Sequence, residues 1–196
     1  VLLPILGGLY GDVLEGGELK LARDGGSFHV AYHEHRFPLD PRSYQAVLEP
    51  ALGPIVAALG PEADETLEFQ SILTAVRNLP AHDETDPPRV AERHREKEIV
   101  KRRLATLLES SPAAAVAVDR ALDDLDGEPG DPRSFDAFDE LLQAQPSRLA
   151  YWRVASDEIN YRRFFDINAL AALRADRWEV VRETHRLIFD ILDRMP

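Results

Sequence analysis

The residues best suited to chemistry sit together near the C-terminus, in LAYWRVASDEINYRRFFDIN (149–168). Tyr151, Trp152, Tyr161, Phe164 and Phe165 alternate there with Arg153, Arg162 and Arg163 and with Asp157, Glu158 and Asp166. Such a stretch is too polar for a core and too aromatic for an ordinary surface. Aromatic rings can stack on the C–H face of a sugar, while Arg, Asp and Asn hydrogen-bond its hydroxyls in directional, often bidentate fashion. Tyr161, Arg162, Arg163, Phe164, Phe165, Asp166 and Asn168 are therefore candidate substrate-binding residues. The bland alternative buries the two phenylalanines and pairs the arginines with Asp157, Glu158 or Asp166. Adjacent residues of an extended chain point oppositely, so one of Phe164 and Phe165 is expected to reach a pocket.

Further candidates flank this stretch. Trp152 reads as a core residue of a buried strand over 149–155, with Arg153 and Ser156 as supporting hydrogen-bond donors. Tyr10 lies in the glycine-flanked run Gly7-Gly8-Leu9-Tyr10-Gly11, which can present the phenol to a ligand or form a plain turn. His33 and His35, with Glu34 opposite, share one side of an extended run, and His29 has the same parity. A metal would need a third converging ligand, so no metal site is assigned. Asp157-Glu158 is read as salt-bridging rather than as an acid/base pair.

The elements that would position these residues fall into three stretches. Residues 1–40 read as a β-hairpin subdomain: Leu19 and Leu21, then Phe28, Val30 and Tyr32, alternate with polar neighbours around the turn signal Asp24-Gly25-Gly26. Residues 41–148 read as a helical subdomain that opens at the N-cap pair Asp40-Pro41. It is broken by Gly60-Pro61, HDETDPP (82–88), Ser111-Pro112 and DGEPGDP (126–132), each placing proline where a helix can start. The helix over 89–109 carries a narrow apolar stripe and interleaved charges, which suits a solvated, ion-paired face better than an anionic partner. Residues 149–196 return through the aromatic stretch to a helix over 178–194, with a broad apolar face of Val180, Val181, Leu187, Ile188, Ile191 and Leu192. The fold class is α+β, mostly helical with a small N-terminal antiparallel sheet.

Composition bounds the function. The 196 residues are 44% hydrophobic, enough for a core, and carry a net charge of −12. That balance argues against nucleic acid, whose phosphates need a basic face, and against anionic membranes. There is no cysteine and hence no disulfide or thiolate site, which fits a cytoplasmic location. No apolar run approaches a membrane span, and VLLPILGGLYG is too short and too uncharged for a signal peptide. The sole methionine is Met195, so the chain is expected to be processed or to belong to a longer polypeptide.

Several segments, in order, resemble maltooligosyl trehalose synthase, of the α-amylase superfamily: LYGDVLEGGELKL (9–21), YHEHRFPLDPRSY (32–44), RHREKEIVKRRLATL (93–107), GEPGDPRSFDAFDELLQAQ (127–145) and RLAYWRVASDEINYRRFFDIN (148–168). The sequence departs from that family's pattern at Leu9 (proline expected), Asp139 (histidine), Ser147 (an aromatic) and Ala169 (aspartate). The resemblance implies an insertion domain of a (β/α)8 barrel enzyme, placed after the third barrel strand, with 178–194 as the third barrel helix. It implies an intramolecular transglucosylase that isomerises the reducing-end α-1,4 linkage of a maltooligosaccharide to α,α-1,1 by a retaining mechanism. The partners it implies are the glucan and the catalytic barrel of the same polypeptide, with no cofactor. The nucleophilic aspartate belongs to a GLRIDH-type motif expected beyond Pro196, so the isolated chain is expected to be inactive, with no catalytic residue of its own. A non-catalytic helical interaction module that lacks a barrel is the alternative.

Overall fold

The computed structural model describes residues 1–155 and 177–192. Glycine chemistry sets its first feature. Strands β2 (Lys20–Asp24) and β3 (Ser27–Tyr32) pair antiparallel with Asp24 opposite Ser27, leaving Gly25-Gly26 as a two-residue turn. Gly25 takes φ 57°, which favours a residue without Cβ. The alternation expected from sequence holds, since Leu21, Phe28, Val30 and Tyr32 all point into the core. Gly26 lies against α4 (Pro87–Ser110), and a Cβ there would come 2.0 Å from the Lys101 carbonyl oxygen.

The expected extended run through His33 and His35 is instead a second tight turn. Strand β4 (His35–Pro38) folds back on β3 with Tyr32 opposite His35, and His33 adopts φ 51° in the two-residue loop. Histidine is among the non-glycine residues enriched in that conformation. The antiparallel sheet therefore has the order β2-β3-β4. Residues 1–40 also contain α1 (Tyr10–Glu15) and strand β1 (Leu2–Leu6), and β1 belongs to a different sheet.

Helices follow where the proline signals place them, with two refinements. Asp40-Pro41 and Asp131-Pro132 open short 3-10 turns, Pro41–Tyr44 and Pro132–Phe135, before the chain relaxes into α2 (Gln45–Leu59) and α6 (Asp136–Gln143). Each aspartate side chain accepts a hydrogen bond from the backbone N–H two residues on. Ser111 caps α5 (Pro112–Leu125), its hydroxyl oxygen accepting from the Ala114 N–H three residues on. Pro61 starts no helix: it sits in a turn, and α3 (Asp64–Arg77) begins three residues later.

Packing unites these pieces. α2 lies on α3 and α5, and α3 lies on α4. One cluster of buried side chains runs from Leu6 and Phe28 through Leu48, Phe69, Val76 and Leu104 to Phe138 and Leu149. The Phe28 and Tyr44 rings meet edge to face at 4.6 Å, and Tyr44 Oη accepts from the Phe28 N–H at 3.2 Å. On α4, Val100, Leu104, Leu107 and Leu108 are buried, while Val90 and Ile99 are partly exposed. Most of that helix faces solvent, with Arg103 clamping Glu68 of α3 through two hydrogen bonds of 2.8 and 2.9 Å.

The final segment departs most from expectation. In place of one helix there are two, α7 (Trp178–Thr184) and α8 (Arg186–Leu192), broken at His185. The His185 ring Nδ1 lies 3.0 Å from the Val181 carbonyl oxygen, and Thr184 Oγ1 donates to Val180 O at 2.8 Å. Side-chain bonds of this kind compete with the helical ladder. Of the expected apolar face, Val180 and Val181 are partly buried, whereas Leu187 is 72% and Ile191 51% exposed. Among the described residues no helix is long and apolar enough to cross a membrane.

Candidate functional site

A parallel strand pair organises the residues singled out from sequence. β1 pairs with β5 (Arg148–Tyr151), Leu2 opposite Arg148 and Leu6 opposite Tyr151, with an irregularity between Pro4 and Leu6. The Arg148 N–H donates to Val1 O at 2.8 Å. Because the two strands run the same way, the chain leaves both at one end. Trp152-Arg153 leave β5 at that end, whereas the Tyr10 ring turns back beside Arg148 and Leu149 at the start of β5.

Beyond β1, Gly7 donates its N–H to Tyr32 Oη at 2.8 Å, and Leu9, in extended conformation, leads into α1. Tyr10 is thus the first residue of a helix rather than part of a loop. Its hydroxyl donates to Asp139 Oδ1 of α6 at 2.6 Å, and Gln143 Nε2 donates to the same oxygen at 3.3 Å. Burial, then the Asp139 hydrogen bond and charge, push the phenol well above its ordinary range. The ring also borders a cavity of about 20 Å3 with Val30, Phe37 and Leu149, room for about one water and none for a sugar. Tyr10 ties α1 to α6. Its hydroxyl is engaged, so direct binding through that group is not what this geometry offers. The partnership of Asp139 with Tyr10 spans too many residues for periodicity to reveal.

The strand expected over 149–155 ends at Tyr151, where a 3-10 turn, Trp152–Val154, takes over. That early end overturns the assignment of Trp152 to the core. Leu149 and Ala155 take the buried positions, and the turn carries Trp152 outward to 50% exposure. The Tyr151 and Trp152 rings meet at 6.0 Å and 72°. Arg153 lies 5.7 Å from the Tyr151 ring centre and 5.4 Å from that of Trp152. Arg153 is therefore an exposed cation held against two aromatic rings, worth about 0.5–1 kcal/mol in such a setting.

Entry to β5 is fixed by Gln145, which sequence reasoning did not single out. Its Oε1 accepts from the Asp40 N–H at 2.8 Å, and its Nε2 donates to Leu141 O at 2.7 Å and to Ser43 Oγ at 3.2 Å. A single amide thus locks the end of α6 to the start of the helical region, and with it the register of β5.

Tyr161, Arg162, Arg163, Phe164, Phe165, Asp166 and Asn168, like Ser156, Asp157 and Glu158, lie outside the described residues. His33 faces Glu18 at 3.7 Å across the hairpin end, and the His35 ring lies 6.1 Å from that of Phe37. Burial and the neighbouring Arg36 lower the pKa of His29. Among the described residues no group of three or more His, Asp or Glu side chains converges to hold a metal ion.

Comparison of the chain with protein-family models, curated proteins and solved structures finds no match.

Proposed function

We propose that this chain is a glucan-site domain of a maltooligosyl trehalose synthase-like enzyme, inserted into a (β/α)8 barrel that carries the catalytic carboxylates. The observation behind this reading is the exposed Trp152-Arg153 pair beside the half-buried Tyr151 at the carboxyl end of β5. The rest of the aromatic–arginine stretch follows it directly in sequence. An exposed indole backed by a guanidinium suits the apolar face and hydroxyl rim of a sugar. A domain that caps the site would exclude water and retain the released glucose, so that its anomeric hydroxyl attacks in place of water. The chain by itself would bind glucan weakly and catalyse nothing.

Two measurements test the reading. The chain has two tryptophans, so Trp178→Phe leaves Trp152 as the single indole. Maltopentaose should then shift its emission, and Arg153→Ala should weaken the response. An emission indifferent to maltopentaose removes the site assignment. Intact mass of the natural polypeptide should lie well above 22.0 kDa. A natural product of that mass, or trehalosyl ends formed from maltopentaose by the isolated chain, overturns the barrel reading.

The uncovered apolar face of α8 favours a second reading, a helical interaction module without a barrel. The natural mass separates the two.

A further inference from the structure

A cavity of about 390 Å3 lies at the amino end of β5, beside Pro146, at the opposite end of the strand from Arg153. Its volume falls within the range of small-molecule sites. One wall is cationic: Arg93, Lys97 and Lys101 recur every four residues along α4 and so share one face. On a chain of net charge −12, this wall sets three permanent cations against a single lining carboxylate, Asp40.

The ion pairs of α4 take up part of that charge, at Lys101, and leave the rest. Arg89 pairs with Glu92, Arg95 with Glu96, Lys101 with Glu98 and Arg103 with Glu68. Lys97 makes no hydrogen bond or ion pair among the described residues. Arg93 donates one N–H to the Ala81 carbonyl at 2.5 Å, which fixes its guanidinium at the cavity rim with other donors to offer. Asp40 faces His82 at 3.7 Å rather than Lys97. The other lining segments are proline-rich, with Pro38, Pro41, Pro80 and Pro146 beside Leu79, Asp40 and His82. Proline has no N–H, so the prolines offer surface rather than donors.

From this pairing of a fixed guanidinium, an unneutralised ammonium and a proline wall, we infer a binding site for a small phosphate ester. Its phosphate would meet Arg93, Lys97 and Lys101, and its apolar body would lie on the prolines. Arginine supplies a planar fork for two phosphate oxygens, and the lysines supply point charge. The site is separate from the glucan reading and stands or falls without it.

The test is calorimetric titration of the full chain with adenosine monophosphate and with inorganic phosphate, at low and at raised salt. Saturable binding is expected, tighter for the ester. It should weaken about tenfold or more in K97Q/K101Q, given the strength of charge-assisted hydrogen bonds, and it should weaken with salt. K97E, at a partly exposed position without a partner, should abolish it while leaving the thermal midpoint unchanged. No saturable binding of either probe, or binding that K97Q/K101Q leaves unchanged, overturns the site. Equal affinity for phosphate and ester overturns the role given to the proline wall.

Discussion

The β2–β3 hairpin and the α7–α8 segment carry equally clear apolar patterns, yet they end in opposite environments. Phe28 and Val30 are 0% and 1% exposed, whereas Leu187 and Ile188 are 72% and 53% exposed. The hairpin's face is met by α5 and by Tyr44, and its turn by α4, close enough that Gly26 touches the helix backbone. Among the described residues nothing covers the face of α8. Periodicity therefore states which residues share a face, and only a partner surface decides whether that face is buried.

Substitutions can break this contrast or sharpen it. The largest effect is expected from Phe69→Ala in the buried cluster, about 4 kcal/mol in chemical denaturation, since a large cavity opens among well-packed neighbours. Gly26→Ala should cost nearly as much, about 3 kcal/mol, because the colliding atom is the Lys101 backbone carbonyl and cannot rotate away. If Phe69→Ala leaves the midpoint intact, the packed cluster is wrong; if Gly26→Ala does, the tight hairpin–helix contact is wrong.

Tyr10→Phe should cost about 1 kcal/mol by removing the donor to Asp139. A loss of that size with unchanged maltopentaose response would confine Tyr10 to holding α1 on α6.

Smaller still is the pH effect of the surface clamps. Arg103 lowers the pKa of Glu68, and Arg23 lowers that of Asp119, in each case chiefly through a hydrogen bond. A depressed carboxylate pKa adds stability that is present above the unfolded-state value and is lost as pH falls through the folded-state value. The acid limb of stability, below about pH 4, should therefore flatten in E68Q/D119N. The clamps are partly exposed, so a double-mutant cycle on Glu68 and Arg103 should give about 0.5–1 kcal/mol, falling with salt. An acid limb as steep in E68Q/D119N as in the parent would remove these carboxylates from the account.

The smallest effect belongs to the other side of the comparison. Leu187→Ala should change stability by less than about 0.5 kcal/mol, because little burial is lost. A loss near that of Phe69→Ala would mean that the face of α8 is covered in solution.

Legibility from sequence followed the range of each interaction. Asp24-Gly25-Gly26, Asp40-Pro41 and Ser111-Pro112 marked their turns and caps because those preferences act within a few residues. The turn at His33-Glu34 was missed because no glycine signals it; Tyr32 and His35 impose it by pairing across the sheet. Trp152 was misplaced because a run of apolar and aromatic residues reads as a strand. Where the strand stops depends on the length of β1 opposite it.

What the sequence determined alone was the α+β class, the inward positions of each strand and most helix starts, all consequences of local sterics and of side-chain period. The tertiary structure decided that β1 and β5 run parallel and that β5 stops at Tyr151, which turns Trp152 and Arg153 outward. It also decided that the Tyr10 hydroxyl engages Asp139 and that, among the described residues, Lys97 makes no ion pair in a cavity lined by prolines. Those outcomes depend on surfaces more than a hundred residues apart in the chain, or on the competition among neighbouring charges for partners, and neither is encoded in any short window of residues.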